Sequence, residues 1–186
     1  HHFKSKKINK IIFDKGITYV ATDEGLYYFN KNYLHPIEIN TQLDFAKIND
    51  IIFHNGSFFI ASNRGFWKVD QLINPKKSTR INPEKYSILL QNGSELIAVK
   101  NTNIISVYDG NKVTQAIKTI SNITSVTKIE NEIWITSKKE SIEILDAKTY
   151  RFKRKINKYN SKLSSNSVDA VFKDRLEAYF KFNAST

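Results

Sequence analysis

An internal repeat of about 40 residues constrains this chain more than any other feature. One unit opens Ile8-Asn9-Lys10-Ile11-Ile12-Phe13 and the next opens Ile48-Asn49-Asp50-Ile51-Ile52-Phe53. Weaker openings follow at Tyr86-Ser87-Ile88-Leu89-Leu90, Ile123-Thr124-Ser125-Val126-Thr127 and Val168-Asp169-Ala170-Val171-Phe172. A second segment recurs as Tyr19-Val20-Ala21-Thr22, Phe59-Ile60-Ala61-Ser62, Leu96-Ile97-Ala98-Val99 and Trp134-Ile135-Thr136-Ser137. Aligned on Ala21, Ala61, Ala98 and Thr136, successive copies lie 40, 37 and 38 residues apart.

Within each unit, short runs rich in Ile, Val, Phe, Tyr and Thr alternate with tight turns, which is the pattern of strands. Asp14-Lys15-Gly16, His54-Asn55-Gly56 and Gln91-Asn92-Gly93 read as hairpin turns, because Gly and Asn tolerate the positive φ such turns require. A third strand is expected at Leu26–Phe29, Phe66–Val69, Ile104–Tyr108 and Ile142–Leu145, ending at Asn30, Asp70, Asp109 or Asp146. A poorer fourth strand is expected at Pro36–Ile39, Thr79–Ile81, Val113–Ile117 and Arg151–Lys155. No helical periodicity of useful length is present. A four-stranded antiparallel unit of this length, repeated in tandem, is a β-propeller blade, whose two faces are buried only by its neighbours. The chain reads as all-β: a propeller with about four blades and the start of a fifth, part of a larger propeller of about seven blades. Residues 1–7 read as a tag remnant and lead-in, and 8–186 as the partial propeller. Its blades fall at about 8–47, 48–85, 86–122 and 123–166, with a fifth starting at 167–186.

Composition narrows the function classes. There is no Cys, which excludes disulfides and thiolate chemistry. There is no Met, so the sequence is expected to be an incomplete translation product, with His1-His2 left from a tag. The net charge is +11, from 24 Lys and 5 Arg against 18 acidic residues. A polyanionic partner such as an acidic glycan or nucleic acid is one reading of that charge. The other is codon bias, since Ile, Asn and Lys are all abundant and Lys is scattered. Arg, favoured in base-specific contacts for its fork, is scarce, so no nucleic-acid partner is expected. No apolar run is long enough to span a bilayer, and no membrane contact by this segment is expected.

Two segments resemble the two-component regulator propeller repeat, which reads W-I-G-T-x-x-G-L-x-x-y-d. They are Tyr19-Val20-Ala21-Thr22-Asp23-Glu24-Gly25-Leu26-Tyr27-Tyr28-Phe29-Asn30 and Phe59-Ile60-Ala61-Ser62-Asn63-Arg64-Gly65-Phe66-Trp67-Lys68-Val69-Asp70. Leu163-Ser164-Ser165-Asn166-Ser167-Val168-Asp169-Ala170-Val171-Phe172-Lys173-Asp174 is similar to the lead-in of the same repeat. The resemblance implies the periplasmic sensor region of a hybrid two-component histidine kinase of the kind found in Bacteroidetes. Many such proteins sense oligosaccharides and control genes for their utilisation. It further implies that the remaining blades of a parent propeller, an oligosaccharide or other small-molecule ligand, and a second copy in a homodimer are the partners. The sequence departs from the family where Thr102 and Glu140 stand near the Gly of the third and fourth units. It departs again after Arg175, where Leu176-Glu177-Ala178-Tyr179-Phe180 replaces G-x-x-W.

With the first strand of each blade innermost, the turns between second and third strands share one face with the inter-blade loops. The first hairpins lie on the opposite face. That geometry nominates Asp23, Glu24, Asn63, Arg64, Lys100, Asn101, Lys138 and Lys139 as ligand-binding residues able to hydrogen-bond a sugar. Trp67 and Trp134 could stack on sugar rings but fall at strand positions that favour core packing. No catalytic motif is present, and His35 and His54 stand alone, so no catalytic residue, metal or cofactor is expected. Recurrent Asp70, Asp109 and Asp146, with Asp50, read as turn chemistry. The alternatives to a sensor are a non-enzymatic propeller scaffold for protein interaction or secretion and a glycan-active propeller enzyme.

Overall fold

In a computed structural model, residues 7–44, 46–110, 112–173 and 178–181 are described. The tag remnant, Asp174 of the lead-in and Arg175, Leu176 and Glu177 of the fifth unit lie outside these residues. The described residues form four four-stranded antiparallel sheets and a two-stranded one, each built from consecutive strands. The first holds β1 (Ile8–Asp14), β2 (Ile17–Thr22), β3 (Gly25–Asn30) and β4 (Tyr33–Pro36). The second holds β5 (Ile48–His54), β6 (Ser57–Ser62), β7 (Gly65–Val69) and β8 (Ser78–Asn82). The third holds β9 (Tyr86–Asn92), β10 (Glu95–Lys100), β11 (Ile104–Tyr108) and β12 (Val113–Lys118). The fourth holds β13 (Ile123–Ile129), β14 (Glu132–Ser137), β15 (Ser141–Asp146) and β16 (Phe152–Ile156). The last pairs β17 (Ala170–Lys173) with β18 (Ala178–Lys181). These are propeller blades, and contacts run from β1 to β5, β9, β13 and β17 in turn, so the first strand of each blade is innermost.

Burial explains this arrangement. Alternate residues of each second strand point to opposite neighbours. Tyr19 and Ala21 pack against Ile48, Ile51, Phe58 and Ile60 of the next blade. Phe59 and Ala61 turn the other way, onto Tyr86, Leu89, Leu96 and Ala98. Ile97 and Val99 meet Val126, Ile133 and Ile135, and Trp134 with Ile142 and Ile144 meets Val168 and Val171. The core is thus a series of seams between blades. The outer face of β1 is left uncovered: Ile11 is 56% exposed, whereas Ile51, which stands at the same place in β5, is fully buried.

The seams also carry a recurring polar stitch. Each inner strand of the four complete blades has a bulge at its second residue, which frees that side chain from the ladder. Asn9 Nδ2 donates to the Ile48 carbonyl at 2.8 Å, Asn49 Nδ2 to that of Tyr86 at 2.6 Å, and Thr124 Oγ1 to that of Val168 at 2.7 Å. The first and second blades therefore grip the first residue of the next inner strand, and the fourth grips Val168, two residues before β17.

Three local expectations are corrected. The first blade's outer strand is Tyr33–Pro36, and Glu38–Thr41 turns into a 3-10 helix that buries Ile39 and Asn40 under the seam. In the third blade Val99, and not Ala98, occupies the place of Ala61, because Lys100 pairs with Tyr86 as Ser62 pairs with Ile48. A one-residue slip exchanges the faces of a strand, so Ile97 and Val99 face the fourth blade while Leu96 and Ala98 face the second. The same blade's hairpin turn is Gly93-Ser94. Asn92 belongs to β9, and its buried Nδ2 donates to the Ala147 carbonyl and the Tyr150 hydroxyl, both at 2.7 Å. No helix among the described residues is long and apolar enough to cross a membrane.

Candidate functional site

Antiparallel connection divides the loops between two faces. On one lie the turns between second and third strands. The backbone N–H of Asp23, Asn63, Asn101 and Lys138 donates to the carbonyl of Lys7, Lys47, Lys85 and Asn122 respectively, at 3.1–3.4 Å. Each acceptor precedes the inner strand of its own blade, so these turns and the inter-blade loops share a face. In three blades a hydroxyl at the end of the second strand shapes the turn. Thr22 Oγ1 accepts from Glu24 N–H and donates to the Gly25 carbonyl, and Ser62 does the same with Arg64 and Gly65. Ser137 Oγ accepts from the N–H groups of Lys139 and Glu140. In the fourth blade Ser141, at φ 72, pairs with Ser137 and takes the place of the Gly.

The eight nominated residues therefore occupy four stations, one per blade, and several already have partners. Asp23 Oδ1 accepts from Lys7 N–H at 3.0 Å, and Asn63 Oδ1 accepts from Asn49 Nδ2 at 3.0 Å. Arg64 is paired with Asp44, and Lys100 with Glu84, which also accepts from Asn101 Nδ2 at 3.1 Å. Glu84 is held below the usual carboxylate range chiefly by its bond to Lys100. Glu24 lies beside the Thr22 hydroxyl, and Lys138 and Lys139 hold the fourth turn through their backbone N–H groups.

The opposite face carries concavities. A cleft of about 370 Å³ opens between the first two blades, lined among others by Asp14, Tyr19, Phe53, Phe58, Asp70 and Gln71. Its aromatic floor is continuous: Tyr19 meets Phe58 edge-on at 5.9 Å, and Phe58 meets Phe53 at 4.9 Å. Desolvation, and then the Asp14 charge, raise the Tyr19 hydroxyl above its ordinary value. A second cleft, of about 410 Å³, lies between blades two and three, lined by Ser57, Lys68, Asp70, Lys77, Thr79, Ile81 and Gly110. The two adjoin at Asp70 and at the hairpin that ends in Ser57. Desolvation opposes ionisation of Asp70, but the N–H groups of Lys77 and Gln71, at 3.1 and 2.8 Å, outweigh it and hold the carboxyl low. Sequence reasoning missed these clefts because their residues belong to three blades and different turns. The available signal was exposed Phe53 at a hairpin where the repeat places an apolar residue beside a turn.

The recurrent aspartates, the two tryptophans and His54 take part in turns and seams. Asp70, Asp109 and Asp146 accept from turn N–H groups, as turn chemistry demands. Asp50 differs, being buried within β5. Trp134 packs in the seam with the fifth blade and donates to Glu132 at 3.1 Å, and half-buried Trp67 packs against the first seam. His54 Nε2 lies 3.0 Å from the Ser94 carbonyl and stitches blades two and three. No three His, Asp or Glu side chains gather as a metal site among the described residues.

Solved structures share this architecture. The chain is similar to the extracellular domain of BT4673 from B. thetaiotaomicron, with TM-scores of 0.73 and 0.70 and sequence identities of 14% and 12% in two structures. That domain is described provisionally as a one component system in one and as a hybrid two component system in the other. The two matches cover 96% and 100% of this chain but only 25% and 27% of that one, so the chain spans about a quarter of its length. It is also similar to the computationally designed Ika8 protein (TM-score 0.66, 15% identity, 90% of this chain and 53% of that one). A further likeness is to the WD40 domain of Neurospora crassa Pan2 (0.60, 15%, 96% and 61%). No protein-family model matches the chain, and no curated protein matches it. The fold defined by these comparisons is the β-propeller.

Proposed function

We propose that this chain is part of the extracytoplasmic, periplasmic sensor region of a hybrid two-component protein, a binding module that recognises an oligosaccharide. The observation that carries this reading is the likeness, over almost the whole chain, to the extracellular domain of BT4673. The repeat wording at Tyr19–Asn30 and Phe59–Asp70 supports it independently. The uncovered face of β1 supports a further blade of the parent propeller as its covering partner. Covered counterparts exist at β5, β9 and β13. In this reading the module binds and a kinase elsewhere in the parent does the chemistry, with a homodimer carrying the signal.

The reading is tested on the parent. Its open reading frame should encode a membrane helix and a kinase domain downstream. A cognate oligosaccharide should raise the melting temperature of the full ectodomain by mass action. A parent with neither membrane helix nor kinase domain would favour the scaffold alternative.

A further inference from the structure

We propose that the two clefts flanking the His54–Ser57 hairpin form one site for a short acidic saccharide. The proposal rests on the sensor reading and adds the place and the ligand class. The place is the hairpin face, opposite the turns that the repeat nominates.

The first cleft has the chemistry of a sugar-ring seat. A pyranose presents a face of C–H groups and a rim of hydroxyls. Here Phe53, exposed at the lip, and Phe58 beneath it offer the apolar surface. Asp14, Asp70 and Gln71 stand around that surface as hydroxyl partners. The Tyr19 hydroxyl has no hydrogen-bond partner among the described residues and lines the same space. A volume of about 370 Å³ falls within the range of small-ligand sites.

The second cleft has the opposite polarity. Asp14 and Asp70 outweigh Lys15 in the first, leaving one net negative charge. Lys68 and Lys77 outweigh Asp70 in the second, leaving one net positive charge. Lys68 is fixed in place, its Nζ donating to the Gly110 carbonyl at 2.9 Å. Lys77 is exposed, and its backbone N–H ties its segment to Asp70 at 3.1 Å. Ser57 and Thr79 add hydroxyls. A disaccharide with a neutral ring over Phe53 and a carboxylate or sulfate toward Lys77 matches both halves. The overall charge of +11 favours such a ligand on approach.

The test is calorimetric titration of the 186-residue chain with digalacturonate, a sulfated chondroitin disaccharide and lactose. At least one acidic probe should bind roughly tenfold more tightly than lactose, the worth of one charge-assisted contact. Lys77→Gln should abolish that advantage without changing lactose binding, and Phe53→Ser should weaken every probe. Both side chains are exposed, and unchanged thermal melts of the variants will show that the fold is intact. Equal affinity for lactose and the acidic probes overturns the ligand class. Acidic binding that neither variant alters overturns the site and leaves the sensor reading standing. If no acidic probe binds below about 1 mM, the site is overturned as well. In that case a melting shift of the full ectodomain still decides the sensor reading separately.

Discussion

Asp50, on the inner strand of the second blade, accepts a hydrogen bond from the backbone N–H of Leu89, on the inner strand of the third, at 2.9 Å. Its other oxygen accepts from Ile51 N–H at 2.9 Å and lies 3.3 Å from Lys10 Nζ in the first blade. One buried carboxylate thus ties three blades near the axis. Asp50→Ala should strand two buried donors and cost at least about 2 kcal/mol in urea denaturation. Asp50→Asn, which keeps one acceptor, should cost less.

The same residue predicts a pH dependence. Desolvation raises the Asp50 carboxyl above its ordinary value and outweighs the lowering effects of Lys10 and the two N–H groups. The folded state therefore holds this proton more tightly than the unfolded chain does. That contribution is complete below the ordinary carboxylate range and is lost as pH rises through the raised value. In a series of melts, Asp50→Asn should remove this decline.

Glu132 has the opposite sign. Hydrogen bonds from Arg154, at 2.7 and 2.9 Å, with a further contribution from Lys153, hold its carboxyl down at about 2 against desolvation. Its stabilisation is present above the ordinary carboxylate value and is lost as pH falls from there towards about 2. Glu132→Gln should flatten acid unfolding over that window and have no such effect above pH 6, roughly, where Glu is ionised in both states.

Ile11 and Ile51 hold the same place in successive blades, yet one is mostly exposed and the other fully buried. Ile51→Ala should cost about 2–5 kcal/mol through lost burial and a cavity. Ile11→Ala should stay within about 0.5 kcal/mol. The contrast is expected in the 186-residue chain by itself, and comparable losses there would contradict the open outer face of β1.

Gly25 and Gly16 give a second matched pair. A Cβ on Gly25, at φ +114, would stand 2.8 Å from Asn40 Oδ1, which accepts from Leu26 N–H at 2.8 Å. Gly25→Ala should cost about 1–3 kcal/mol from backbone strain, with further loss as Asn40 is displaced. Gly16, at φ +80, has open space around it, so Gly16→Ala meets backbone strain alone and should lose less.

The architecture was legible because its cause is local and repeated. Ile48–Phe53 echoes Ile8–Phe13, and Gly16 and Gly56 fall where hairpins need positive φ. Register in the third blade was not legible. Leu96-Ile97-Ala98-Val99 offers four apolar residues in a row, and nothing in that run marks which pair faces which neighbour. Lys100, standing where the other blades have Thr22, Ser62 or Ser137, removes the hydroxyl that marks the strand's end. The nominated binding turns could be placed on one face from strand order alone. Their use in internal pairs, such as Arg64 with Asp44, depends on side chains distant in sequence. The clefts beside Phe53 were invisible for the same reason, since Asp14, Phe53 and Asp70 meet only when two blades do.

The stitch from Asn9, Asn49 and Thr124 uses only a side chain at a bulge and a main-chain carbonyl at or just before the start of the following inner strand. The acceptor is main chain, so the joint is indifferent to the identity of the incoming residue: Ile48, Tyr86 and Val168 serve equally. A gene built from such units can duplicate, delete or exchange them while the joints that use this stitch keep their chemistry. Recognition surfaces can then diversify by recombination without renegotiating how the pieces are held together.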